Sequence, residues 1–112
     1  MAAKILNVSA DISLLRTRTL LLEQAGYEVG SASNWMDFES ACGNSTYDLL
    51  ILGQSLPPSL KKDMEDFAKK HCPSMKIAEL YVVAPSSPAK YQFHAGGKPQ
   101  ELLEFVANAL KG

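Results

Sequence analysis

The sequence predicts an α/β domain of three layers, in which a mostly parallel five-stranded sheet is sandwiched between helices. Short apolar runs of strand length alternate with stretches of helical period along the whole chain. The joints are a few residues long and rich in Gly, Pro, Asn and Ser, as crossover connections in such a sheet require. The run Tyr47 to Leu52 has no polar alternation after Asp48, which suits a central parallel strand covered on both faces.

Residues 4–8 read as the first strand. Asp11 is placed to cap the helix that follows through Leu20, Leu21 and Leu22, and Gly26 stands where that helix needs a residue able to take positive φ. Tyr27 to Ala32 is the second strand, and Ser33 or Asn34 caps a second helix carrying Trp35, Phe38 and Ala41. That helix ends near Cys42-Gly43, before the third strand at residues 47–52.

After Pro57-Pro58, Ser59 is expected to cap a third helix from Leu60 to about His71, with Leu60, Met64, Phe67 and Ala68 on its inner face. Lys61, Lys62, Asp63, Glu65, Asp66, Lys69 and Lys70 then form an ordinary solvated face of mixed sign. Met75 to Val83 is the fourth strand, interrupted by Glu79, and Tyr91 to His94 a short fifth. The link between them, with Pro85 and Pro88, is too short and too proline-rich for a normal helix. Pro99, after the Gly96-Gly97 joint, opens a last helix with Leu102, Leu103, Phe105, Val106 and Leu110 apolar.

The 112 residues make one domain, 1–112, with 46% hydrophobic and 21% charged residues, so disorder of the whole chain is excluded. A formal net charge of -1 builds no basic field for nucleic acid or an anionic bilayer, and near-neutrality permits weak homodimers. Two cysteines, Cys42 and Cys72, make no disulfide framework, so reducing cytoplasm is the expected compartment. The opening residues lack the pattern of a signal peptide, and no apolar run approaches the ~20 residues a membrane span needs.

In a sheet of this kind chemistry sits outside the carboxyl ends of the strands, which directs attention to Ser9, Ala10, Asp11, Gly53, Gln54, Leu80 to Pro85 and Ala95 to Lys98. The phrase Leu20-Leu21-Leu22-Glu23-Gln24-Ala25-Gly26-Tyr27-Glu28-Val29, the strand Tyr47-Asp48-Leu49-Leu50-Ile51-Leu52 with its nearby Leu56-Pro57, the strand Lys4-Ile5-Leu6-Asn7-Val8 and the helix start Pro99-Gln100-Glu101-Leu102-Leu103 together resemble a response-regulator receiver domain. The resemblance spans essentially the whole chain. It implies a flavodoxin-like (CheY-like) fold and a bacterial two-component phosphorelay context. The family places a helix between strands four and five, and this sequence departs from it there, with Pro85-Ser86-Ser87-Pro88 leaving that helix shortened or absent.

Receivers of this family use an acidic pair after strand one to hold Mg²⁺, an acceptor Asp after strand three, a Thr or Ser after strand four and a Lys after strand five. Matched position by position, the acidic pair falls on Ser9 and Ala10, with Asp11 one residue beyond. The acceptor falls on Gly53, the hydroxyl near Glu79 to Tyr81, and the lysine on Ala95, with Lys98 three residues further on. The resemblance therefore implies a degenerate phosphorylation pocket in a pseudo-receiver: no enzyme, no cofactor, no bound metal. Its partner is a signalling protein or an output domain of the same full-length protein.

Tyr81, Tyr91, Phe93 and Phe105 are the candidate partner-binding residues, with Tyr91 and Phe93 expected in different environments, and Trp35 divides evenly between core and contact roles. His71, Cys72, His94 and Cys42 match no metal-ligand spacing and read as structural. Ser9 lacks a nucleophile elbow or a visible base. A second reading, from a different class, is a small-molecule or anion sensor at the carboxyl edge, with Ser9, Gly53, Lys98 and backbone groups as a remodelled pocket in which Gly53 leaves room where an acceptor side chain would stand. Gly96-Gly97 before the last helix reads as a tight turn, with anion binding through its backbone as the lesser alternative.

Overall fold

The computed structural model describes residues 2–85 and 89–112. Its elements are β1 (Lys4–Val8), α1 (Ile12–Gln24), β2 (Glu28–Ala32), α2 (Trp35–Asn44), β3 (Leu49–Leu52), α3 (Pro58–His71), β4 (Lys76–Tyr81), β5 (Tyr91–His94) and α4 (Pro99–Lys111). All strands are parallel, in the order β2-β1-β3-β4-β5. Between Tyr81 and Tyr91 no helix occurs among the described residues, and Ser86–Pro88 of that link lie outside them.

Alternation along β3 explains the layering, because successive side chains of a strand point to opposite faces. Leu50 and Leu52 join Leu6, Val8, Phe38, Met64 and Ala68 in the core under α2 and α3. Leu49 and Ile51 join Ile5, Leu80, Leu22, Leu102 and Val106 in the core under α1 and α4. Every residue of β3 is buried, as its unbroken apolar run requires.

Capping chemistry sets most helix ends. The Asp11 carboxylate accepts from Leu14 N at 3.1 Å, and Asn34 Oδ1 accepts from Asp37 N at 2.9 Å, each satisfying a helix N–H that has no partner within the helix. Gly26 takes φ of 98° just past α1, where a side chain would be strained. Pro99 opens α4, and Glu101 Oε1 accepts from Lys98 N at 2.9 Å.

Some boundaries differ from the sequence expectation. α3 begins at Pro58 with Pro57 as its cap, not at Ser59, since proline's fixed φ already suits a first helical turn and needs no side-chain cap. β4 stops at Tyr81, leaving Val82 and Val83 exposed at 56% and 93%. Tyr91 and Phe93 share one environment, packed against the α4-side core. They are two residues apart on a strand and so face the same way.

Trp35 is half-buried in an aromatic cluster, with ring centroids 5.5 Å from Phe38 and 5.4 Å from Phe67. His71 continues the cluster, 4.4 Å from Phe67. Among the described residues no helix is long and apolar enough to cross a membrane.

Candidate functional site at the carboxyl edge of the sheet

Parallel β1 and β3 run side by side and end together, which brings Ser9 and Gly53 into contact. The ladder continues one step past the strands through Gly53 N to Val8 O at 2.8 Å. A Cβ built on Gly53 would stand 2.8 Å from that same carbonyl oxygen and 3.3 Å from Ser9 Cβ. Glycine here lets two backbones close on each other, so the expected room at position 53 is absent.

Hydroxyls stitch this edge together. Ser55 Oγ accepts from Ala10 N at 3.0 Å and Asp11 N at 3.2 Å and lies 2.9 Å from Ser9 Oγ. The Asp11 N–H is shared between Ser55 Oγ and Ser9 Oγ, each at 3.2 Å, and the Ser9 hydroxyl also reaches Asp11 O at 3.2 Å. Ser9 is fully buried, Ala10 and Asp11 are exposed, and the Asp11 carboxylate is engaged as the α1 cap. Among the described residues no group of three His, Cys, Asp or Glu is placed to hold a metal ion.

Ala95 and Lys98 lie elsewhere on the same edge. Ala95 N donates to Tyr81 O at 2.7 Å, extending the β4–β5 ladder. Both residues line a cleft of about 130 Å³ between α1 and α4, whose other walls include Arg18, Leu14, Leu80, Phe93 and Leu102. The six carboxyl-edge candidates thus divide into a hydrogen-bonded seam at Ser9, Ala10, Asp11 and Gly53, buried at Ser9 and Gly53, and an open cleft at Ala95 and Lys98.

The four candidate contact residues are all half-buried. Phe93 and Phe105 stack on each other with centroids 5.0 Å apart, and Tyr81 meets His94 edge-on at 5.6 Å. Tyr91, Phe93 and Phe105 support the α4-side core, while Tyr81 leads directly into exposed Val82 and Val83.

The polar face assigned to α3 needs correction, because Lys61 and Glu65 are buried, not solvated. Lys61 Nζ donates to Glu79 Oε2 at 2.9 Å and to Leu80 O at 2.8 Å, with side-chain exposures of 4% and 0% for the ion pair. A signal was present: Lys61, Met64, Glu65 and Ala68 fall at i, i+3, i+4 and i+7, a complete helical stripe. The inner face is turned by about one residue from the one centred on Leu60 and Phe67. Arg18 was missed for the same reason, lying between Leu15 and Leu22 on the buried stripe of α1.

Glu65 is fully buried, has no hydrogen-bond partner for either carboxylate oxygen and sits 3.8 Å from the exposed Lys69 ammonium. Burial pushes its pKa up, against the smaller downward pull of Lys69. The folded state therefore keeps this proton to higher pH than the unfolded chain, whose glutamates release theirs near pH ~4.3. The associated stability is complete below that value and is lost as pH rises through the raised folded pKa. Glu65→Met is expected to raise stability by about 1–3 kcal/mol at pH 7 and by clearly less at pH 4, as measured by urea unfolding at both.

Cys42 and Cys72 are free thiols. Burial first, then the hydrogen bond and charge of Cys72, push the Cys42 pKa up to about 12, leaving a protonated, unreactive thiol. Cys72 Sγ donates to Cys42 O at 3.6 Å.

No protein-family model matches the sequence, and no curated protein matches it. Solved structures do. A response regulator from Thermotoga maritima superposes with a TM-score of 0.85 at 15% identity, covering 100% of both chains. A CheY-like response regulator receiver domain protein from Methanospirillum hungatei JF-1 gives 0.79 at 22% identity, covering 99% of this chain and 95% of that one. NtrX from Brucella abortus, crystallised in complex with ATP, gives 0.82 at 21% identity, covering 99% of this chain but only 27% of its own. The chain has the fold of response-regulator receiver domains, built here with four described helices around the five-stranded parallel sheet.

Proposed function

We propose that this chain is a noncatalytic pseudo-receiver that acts in signal transduction through protein contacts, independently of aspartate phosphorylation. The observation that carries the proposal is the seam at the ends of β1 and β3. Gly53 stands at the acceptor position with no space for a Cβ, and Ser9, Ala10 and Ser55 form a hydroxyl and backbone network where the family holds its cation. Those residues do not fit Mg²⁺, a hard ion that needs carboxylate oxygens, so no phosphoryl transfer is routed through it. Asp11, the nearest carboxylate along the chain, is committed to capping α1.

The contact surface is assigned to the β4–β5 side. Exposed Val82 and Val83 extend from Tyr81, and the Phe93–Phe105 stack joins β5 to the adjoining α4. An output domain on the same polypeptide is one partner consistent with the NtrX neighbour, in which the matching part is a minor share of the chain. The compartment this reading requires is the cytoplasm, where such partners work. The sensor alternative loses the room it expected at Gly53, where a Cβ would meet the Val8 carbonyl oxygen at 2.8 Å, and keeps only its Lys98 side of the edge.

Incubating the protein with acetyl phosphate and Mg²⁺, then recording intact mass promptly under mild conditions, is expected to give no phosphoryl adduct. A stable acyl phosphate on any carboxylate would sink the proposal.

A further inference from the structure

Among the described residues, Arg18 is a buried cation with a guanidinium nitrogen left without a partner. Its side chain is in the inner stripe of α1, the residue is only 8% exposed, and Nη1 is buried without a hydrogen-bond partner. It takes part in none of the ion pairs among the described residues. Burial works against its charge, and the Asp11 carboxylate offsets that only in part. A guanidinium nitrogen buried without an acceptor is costly, and a ligand oxygen placed there would offset that cost.

Arg18 lines the cleft between α1 and α4. Lys98 and Pro99 line it too, where α4 begins; the Lys98 N–H there is already held by Glu101 Oε1 at 2.9 Å, so the cations left to a ligand are the Arg18 and Lys98 side chains. The remaining walls are mainly aliphatic and aromatic, with Leu14, Leu80, Phe93 and Leu102 among them. A cleft of about 130 Å³ compares with the ~150 Å³ engineered cavity that accepts benzene. Cationic groups at an apolar cleft of one-ring size select an anion with an apolar body.

We propose that this cleft is a binding site for a small monocarboxylate carrying one aromatic ring or a branched aliphatic group. The carboxylate pairs with the Arg18 fork after a local rotamer adjustment that turns Nη1 toward the cleft, and Lys98 closes over it from the rim. The apolar body packs against Leu80, Phe93 and Leu102. Inorganic phosphate lacks the apolar part and leaves those walls unfilled. This site is separate from the Ser9–Gly53 seam and stands whether or not the pseudo-receiver reading holds.

The test is an amide NMR titration of the full chain with benzoate, with benzyl alcohol as the neutral counterpart and inorganic phosphate as the anion without a ring. Benzoate is expected to give saturable shifts clustered at Thr17, Arg18, Gly97 and Lys98, with affinity at least tenfold above benzyl alcohol. In Arg18→Met, expected to fold at least as well because an unpaired buried charge is gone, that preference should vanish; Arg18→Lys should retain part of it. Equal binding of benzoate and benzyl alcohol to the unmodified chain overturns the proposal, as does saturation of the same residues by phosphate at comparable concentration. So do shifts in that cluster produced by raising protein concentration alone, which assign the cleft to a second copy.

Discussion

Lys61→Met is expected to destabilise the fold by about 3–5 kcal/mol, because it leaves the Glu79 carboxylate buried without its cation and removes a donor from Leu80 O. That is a large share of the roughly 5–15 kcal/mol that holds a domain together. Methionine keeps the length of the lysine stem, so little of the loss arises from a cavity. In urea the midpoint should fall with an unchanged slope, the sign of lost stability without a change in exposed surface. The paired replacement Lys61→Met with Glu79→Leu is expected to recover most of the loss, since two apolar groups of similar volume carry no desolvation cost. A single replacement costing under ~1 kcal/mol would show that water reaches the pair.

The pair has a structural logic. Glu79 lies on the α3 face of β4, in register with Leu52 on one side and Gln92 on the other. A carboxylate at the middle of a parallel sheet must be covered and neutralised, and α3 supplies Lys61 from its inner stripe for that purpose. Since the pair joins α3 to β4 beside the short β4–β5 link, it anchors the strand that carries the proposed contact surface.

Gly53→Asp is the second large effect. A Cβ at this position meets the Val8 carbonyl oxygen at 2.8 Å, and a backbone atom engaged in the sheet ladder cannot rotate away as a flexible side chain would. Separation of β1 from β3 is expected to cost about 1–3 kcal/mol, read as a fall in melting temperature of at least ~4 °C for a chain of this size. Gly53→Ala isolates the Cβ and should account for half the loss or more. The aspartate variant should also remain unlabelled by acetyl phosphate, because no acidic pair accompanies the new carboxylate. An aspartate variant that melts with the parent would mean the seam opens freely.

The fold was legible because its signals are local or periodic. The apolar run of β3, the caps at Asp11 and Asn34, the positive φ at Gly26 and the proline at the start of α4 each act within a few residues. The start of α3 was misplaced by the same local reasoning, since a serine cap and a proline first turn compete and only the chain path decides. At the seam, the family resemblance put Ser9 and Gly53 in one pocket, while the meaning of the glycine was not legible. The stitching residue, Ser55, stands 46 positions from Ser9, and no spacing rule links them.

By itself, then, the sequence determined the succession of strands and helices, the parallel sheet with its apolar central strand, and the lack of carboxylates at Ser9, Ala10 and Gly53. The tertiary structure alone decided that Lys61 and Glu79 form a buried pair, that Gly53 closes a seam instead of opening a pocket, and that Arg18 is buried unpaired beside a cleft. The physical reason is range. Periodicity records which face of one element is apolar, whereas the fate of a charge depends on which distant element packs against it.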